Sequence, residues 1–93
     1  MTRLTDDEVS QALAKLDGWS VVDGMVVREL RFPSFRDAVA FVVRLSYEAE
    51  AADHHPDLDI RYNRVRVALS THSEGGITPK DLALARTIQH LAG

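Results

Sequence analysis

Three of the four histidines in this chain, His54, His55 and His72, stand where acidic side chains could work with them. Imidazole, with an ordinary pKa of about 6.5, can give and take protons near neutrality. Glu50 and His54 are four residues apart at the end of a long apolar-periodic stretch. On a helix they share a face and are expected to touch, the carboxylate fixing the ring's tautomer. His55 lies just past the last expected helical turn and should point elsewhere. His72 follows a strand-like run, residues 64–70, with the parity of Arg66, Ala68 and Ser70. It is therefore expected away from Val65, Val67 and Leu69, on the rim of the loop 73–76. A proton donor and a proton acceptor beside one cleft are what general acid–base chemistry needs.

Each of these residues also has a structural explanation. Cationic groups suit a helix C-terminus, which would account for adjacent histidines there. His90, near the end of the chain, reads as a surface residue. Asp81 stands three residues after Thr78 and reads first as a capping-box carboxylate. Tyr62 shares a face with Leu58 and Ile60 and reads as core, and Arg61, Arg64 and Arg66 read as a solvated strand face. Glu50, His54, His55, Asp57, Asp59 and His72 include plausible metal ligands. Their spacing matches no zinc signature such as H-E-x-x-H, so no metal is expected.

The elements that must position these groups are readable. Thr5-Asp6-Asp7-Glu8 forms a capping box, followed by Val9, Leu13 and Leu16 and a stop at Asp17-Gly18. A short strand, 19–22, leads through the hairpin signal Asp23-Gly24 into a second strand, 25–32. There Val26, Leu30 and Phe32 face inward, Val27, Glu29 and Arg31 face outward, and Arg28 is out of pattern. Ser34 caps a long helix running to about Asp53, ahead of Pro56. Its apolar stripe is Phe35, Val39, Val42, Leu45, Ser46 and Ala49. Phe41 and Val43 lie off the stripe, an arc wide enough to suggest burial on two sides. Strands 58–62 and 64–69 pair around Asn63, and Thr78-Pro79 opens a last helix whose core face is Leu82, Ala85, Ile88 and Leu91. The expected fold is α+β, a four-stranded antiparallel sheet with three helices on one face, in the order α-β-β-α-β-β-α, as one domain over residues 1–93.

Composition narrows the function. With Lys+Arg 11 against Asp+Glu 14 and no basic run, the chain offers no phosphate-tracking surface, so no direct nucleic-acid partner is expected. Cysteine is absent, which removes thiolate chemistry and suits a reducing cytoplasm. No apolar stretch approaches a membrane span, and the opening MTRLTDDEVS has no apolar core of a secretory signal.

The string Glu50-Ala-Ala-Asp-His54-His55-Pro56, followed by Tyr62-Asn63, Thr71-His72, Gly75-Gly76 and Asp81, resembles the signature of the pterin-4a-carbinolamine dehydratases. In eukaryotes this family is also known as the dimerization cofactor of a hepatocyte nuclear factor. The resemblance implies loss of water from a 4a-hydroxytetrahydropterin to give the quinonoid dihydropterin, in tetrahydrobiopterin recycling, with neither metal nor bound redox cofactor. It implies His54 and His72 as the acid/base pair and His55 as the residue that orients the pterin. Glu50 would tune or position His54, Asp81 would support the site, and backbone around Thr71 would hydrogen-bond the ring. Animal-like members often carry tryptophan where this chain has Leu58, which leaves stacking to Tyr62 or Trp19, or to no aromatic. Homodimers through sheet edges or homotetramers through helices are implied as well. A non-catalytic interaction module, motivated by Phe41 and Val43, is the alternative, and a homologue with a different small-molecule ligand is a third.

Overall fold

A computed structural model describes residues 2–92. The elements are α1 (Asp6–Leu13), β1 (Ser20–Val22), β2 (Met25–Arg31), α2 (Phe35–Ala52), β3 (Asp57–Arg61), β4 (Arg64–Leu69), a 3-10 turn (His72–Glu74) and α3 (Pro79–Leu91). The strands form one antiparallel sheet in the order β1-β2-β4-β3. The α+β architecture and its element order are those expected from the sequence.

Each helix begins where its cap chemistry says it should. Thr5 and Glu8 exchange hydrogen bonds with each other's backbone, as do Thr78 and Asp81, and Ser34 Oγ accepts from the Asp37 amide. Asp23 and Gly24 both take positive φ, 52° and 75°, the conformation a two-residue β1–β2 turn requires. The register Leu30↔Val65, Arg28↔Val67 and Val26↔Leu69 puts the inner residues of β2 and β4 on one side. With Val9, Phe41, Leu45, Leu82, Ala85 and Ile88 they make one core. The opposite side of the sheet carries Glu29, Arg31, Asp59, Arg61, Arg64 and Arg66, the charged face read from the sequence. The out-of-pattern Arg28 points inward, where its guanidinium and the Trp19 indole N–H both donate to Gln89 Oε1.

Three expectations need correction. Helix α1 ends at Leu13, so Leu16 reaches the core from a turn rather than from a helix. The buried face of α2 is Ala38, Phe41, Leu45 and Ala49. Phe41 is therefore wholly inside, its ring centroid 5.1 Å from that of Phe32, and does not face a partner. The sheet takes the edge of the wide apolar arc that carries two alanines, where little bulk keeps the helix away. What remains outside is a stripe at four-residue spacing, Phe35 (53% exposed), Val39, Val43 (50%) and Tyr47 (74%). Tyr62, read as core, occupies the β3–β4 turn with φ 54° and is 70% exposed. Behind it the Asn63 side chain donates to Phe32 O at 2.8 Å.

Strand β3 is an edge strand with every residue exposed. Leu58 and Ile60 pair with Val67 and Val65, so they lie on the core side of the sheet, yet the helices do not extend over them. Among the described residues no helix is long and apolar enough to cross a membrane.

Candidate active site

The last turn of α2 decides where the histidines go. Asp53 adopts the left-handed conformation, φ 51° and ψ 43°. Its amide donates to Glu50 O and the His54 amide to Ala49 O, both at 3.1 Å, the paired bonds of a Schellman motif. This reverses the chain before His54, which therefore leaves the helix surface that Glu50 occupies.

The expected Glu50–His54 contact does not form. Glu50 Oε1 instead meets His55 Nε2 at 2.6 Å, in a pair whose side chains are 77% and 58% exposed. His54 turns inward, its side chain 11% exposed, and its Nε2 lies 2.5 Å from Asp81 Oδ1. Helical geometry stops at Ala52, short of His54, so residues 50 and 54 do not share a helix face.

Asp81 is fully buried and performs both roles the sequence offered it. Its Oδ2 accepts from the Thr78 amide at 2.9 Å, capping α3, and from the Thr71 hydroxyl at 2.9 Å. Oδ1 remains for His54. Thr71 Oγ1 and Thr78 Oγ1 are 2.8 Å apart, a buried contact that sequence reasoning missed. Only its place beside a capping carboxylate hinted at it. A carboxylate can only accept, so the hydrogen shared with His54 sits on Nε2. Nδ1 makes no hydrogen bond among the described residues. Among the described residues no buried side-chain nitrogen or oxygen lacks a partner, so Nδ1 is the solvent-reachable end of the ring.

His72 opens the 3-10 turn that follows Thr71 and is exposed, with no side-chain hydrogen bond among the described residues. It is a residue of the turn and not an extension of β4. The loop is closed at its neck by a bridge between Thr71 and Gly76, with Thr71 N donating to Gly76 O at 2.8 Å. Thr71 O accepts from the Glu74 amide at 3.0 Å. The Thr71 amide is thus engaged inside the loop, while its hydroxyl donates to Asp81 Oδ2.

The aromatic wall is not supplied by either residue the sequence suggested. Trp19 is buried and bonded to Gln89. Tyr62 sits at the turn end of the β3–β4 hairpin, whereas His55 and Thr71 flank the other end, roughly 16 Å away over five strand residues. Leu58, half-exposed, is the second residue of β3, at the end nearer His55 in the chain.

His54 lines a cavity of about 290 Å3 between α2 and α3, with Glu48, Lys80 and Thr87 at its margin. A larger concavity, about 780 Å3, lies beside Gly75 and Gly76, bordered by Arg3, Thr5 and Ser10, and contains no histidine. Size does not track chemistry here. Among the described residues no three histidine, aspartate or glutamate side chains converge to hold a metal ion.

A buried carboxylate thus holds one imidazole of a small α+β protein, and a second imidazole stands exposed on the turn that follows Thr71. The family model described as pterin 4 alpha carbinolamine dehydratase matches residues 2–91. A protein of Chloroflexus aurantiacus named "Putative pterin-4-alpha-carbinolamine dehydratase" is 50% identical over 93 residues, the full length of both chains. One of the same name from Mycobacterium sp. (strain JLS) is 52% identical over 91 residues, 98% of this chain and 97% of its own. A crystal structure of a transcriptional coactivator/pterin dehydratase from Brucella melitensis matches with TM-score 0.95 and 42% identity, over 99% of this chain and all of the other. A pterin dehydratase-like RuBisCO assembly factor of the alpha-carboxysome shares the fold at TM-score 0.66 and 22% identity, over 81% and 87% of the two chains. The chain belongs to the pterin-4-alpha-carbinolamine dehydratase family, and its class is that of the dehydratases, the hydro-lyases.

Proposed function

We propose that this protein removes water from a 4a-hydroxytetrahydropterin, giving the quinonoid dihydropterin, by acid–base catalysis through His54 and His72. The observation that carries the reading is the Asp81–His54 pair, which leaves Nδ1 of a held, mostly buried ring open to a ligand. Dehydration breaks the C4a–O bond and the N5–H bond. His54 Nδ1 takes the N5 proton while Asp81 stands as counter-ion to the positive ring that forms, the logic of a carboxylate–histidine pair. His72 gives a proton to the departing hydroxyl, which leaves as water. The two rings then exchange protons with solvent, and no electrons are gained or lost.

His55, held from behind by Glu50, orients the pterin rather than transferring its proton. Leu58 provides an apolar face where other family members use an aromatic. The reaction needs neither metal nor bound cofactor, and it serves tetrahydrobiopterin recycling in the cytoplasm. Purified protein is expected to accelerate dehydration of synthetic 4a-hydroxytetrahydropterin, and replacing both His54 and His72 by Ala should return the rate to background. Full activity in that double variant would end the proposal.

The outer stripe of α2, apolar surface left uncovered by the chain itself, and the open edge of β3, a row of backbone groups without a strand partner, support self-association into homodimers or homotetramers. The same stripe favours the alternative, a non-catalytic interaction module. That function would survive loss of the histidines and fail on substitution of Val43 or Tyr47.

A further inference from the structure

We propose that the N-terminal segment is a strap that holds the His72 loop, with Arg3 as its positioning residue and Gly76 as the seat that admits it. The role in turnover rests on the dehydratase reading above; the strap itself rests on geometry alone. Ahead of α1, the Leu4 amide donates to Ile77 O at 2.7 Å, laying the segment alongside the end of the loop. Leu4 packs against the core and anchors the strap from below. Arg3 then crosses the loop. Its Nη1 donates to Gly75 O at 3.4 Å, and its alkyl stem lies over the Gly76 α-carbon. A Cβ at residue 76 would stand 2.4 Å from Arg3 Cδ and 2.9 Å from Cγ, far inside contact distance. Its three nearest neighbours would all be Arg3 atoms, so glycine is needed there for the arginine's sake.

The strap matters because of what the loop carries. His72 makes no side-chain hydrogen bond of its own among the described residues, so its ring is placed by the loop backbone. That backbone is fixed by the Thr71–Gly76 bridge on one side and by Arg3 across Gly75 and Gly76 on the other. Thr71 in turn bonds Asp81 and, through it, His54. The strap therefore ends a continuous chain of contacts joining residue 3 to both rings.

The cycle Arg3→Ala, Gly76→Ala and the double variant tests this. Gly76 has no positive φ, so alanine fits its backbone, and the flexible Arg3 stem is what gives way. Both single variants should keep the wild-type fold by circular dichroism. Each should lower kcat by about three- to tenfold, the scale of one lost hydrogen bond with its packing, while KM moves by less than about twofold. The double variant should be no slower than either single one, because both changes remove the same contact. Amide exchange at Glu74 and Gly75 should rise by about three- to tenfold in all three, and the His72 imidazole resonances should broaden. Additive losses of kcat, or exchange at 74–75 equal to wild type in Arg3→Ala, would overturn the strap. If wild-type protein shows no carbinolamine turnover while exchange still responds to Arg3→Ala, the dehydratase reading fails and the strap stands.

Discussion

Replacing Asp81 by asparagine separates the carboxylate's chemistry from its structural duty. Three donors meet Asp81: His54 Nε2 at 2.5 Å, and the Thr71 hydroxyl and Thr78 amide, each at 2.9 Å. Asparagine can keep its carbonyl oxygen where Oδ2 stands, so Thr71 and Thr78 stay bonded. Its amide then faces His54 Nε2 as a donor, and the ring must answer with a lone pair. The hydrogen moves to Nδ1, the atom proposed to accept the N5 proton. Trading charged for neutral acceptors costs about 1 kcal/mol per bond. Relief from burying a charge offsets much of this, since that penalty is several kcal/mol per ion. The net loss should stay below about 2 kcal/mol, or a Tm drop under about 15 °C for a chain of this length. The kinetic loss should be far larger. A positioned general base is worth about 10²–10⁴ in rate, so kcat should fall at least about 100-fold, which is about 2.7 kcal/mol of barrier. Stopped-flow absorbance on 4a-hydroxytetrahydropterin reads the rate, and long-range proton–nitrogen NMR of His54 reads the tautomer. A variant with Nδ1 protonated and kcat within about threefold of wild type would refute the assignment of Nδ1 as the base. By contrast, Asp81→Ala strands three buried partners, each at about 1–3 kcal/mol, and should leave too little stability to assay.

Two further outcomes follow from burial. Phe41→Asp places a charge at a fully buried core position and should abolish folding, whereas Val43→Asp should fold normally and lower the mass measured by light scattering on a sizing column. An unchanged mass for Val43→Asp would remove the α2 stripe from the subunit interface. Glu50→Gln breaks a mostly exposed pair, so stability should change by no more than about 0.5 kcal/mol. It should raise KM by about two- to fivefold with kcat nearly unchanged, as expected of a residue that steadies the orienting His55. A fall in kcat at constant KM, read from steady-state curves, would instead tie Glu50 to proton transfer.

The sequence announced the frame through local chemistry. Thr5 with Glu8, Ser34 with Asp37, and Thr78-Pro79 with Asp81 mark helix starts by side chains that satisfy backbone donors, and such signals need no tertiary context. Asp23-Gly24 and the alternation of residues 64–69 did the same for the sheet. What stayed hidden depended on geometry that residue types do not encode. The left-handed Asp53 carries no glycine to advertise it, yet it sends His54 to Asp81 and hands Glu50 to His55. Periodicity gave α2 an apolar arc but not the edge the sheet would take, so Phe41 was placed outside. Alternation gave Leu58 and Ile60 the correct face, while the reach of the helices over that face decided their exposure. Asp81 could not be assigned between cap and site because its two oxygens serve one each.

That division of one carboxylate has a bearing on how relatives diverge. A lineage that ceased to dehydrate pterins would be free to replace His55 or His72 at little structural cost, since both rings are exposed, whereas loss of the His54 ring would leave Asp81 Oδ1 buried without its partner. It could not as easily discard Asp81, because α3 would lose its cap and Thr71 its partner. On the proposed mechanism the aspartate would persist as structure, and the two exposed histidines would be the first residues to change once the chemistry is no longer under selection. If that mechanism holds, retention of His55 and His72 would say more about a working site than retention of an acid that the fold needs in any case.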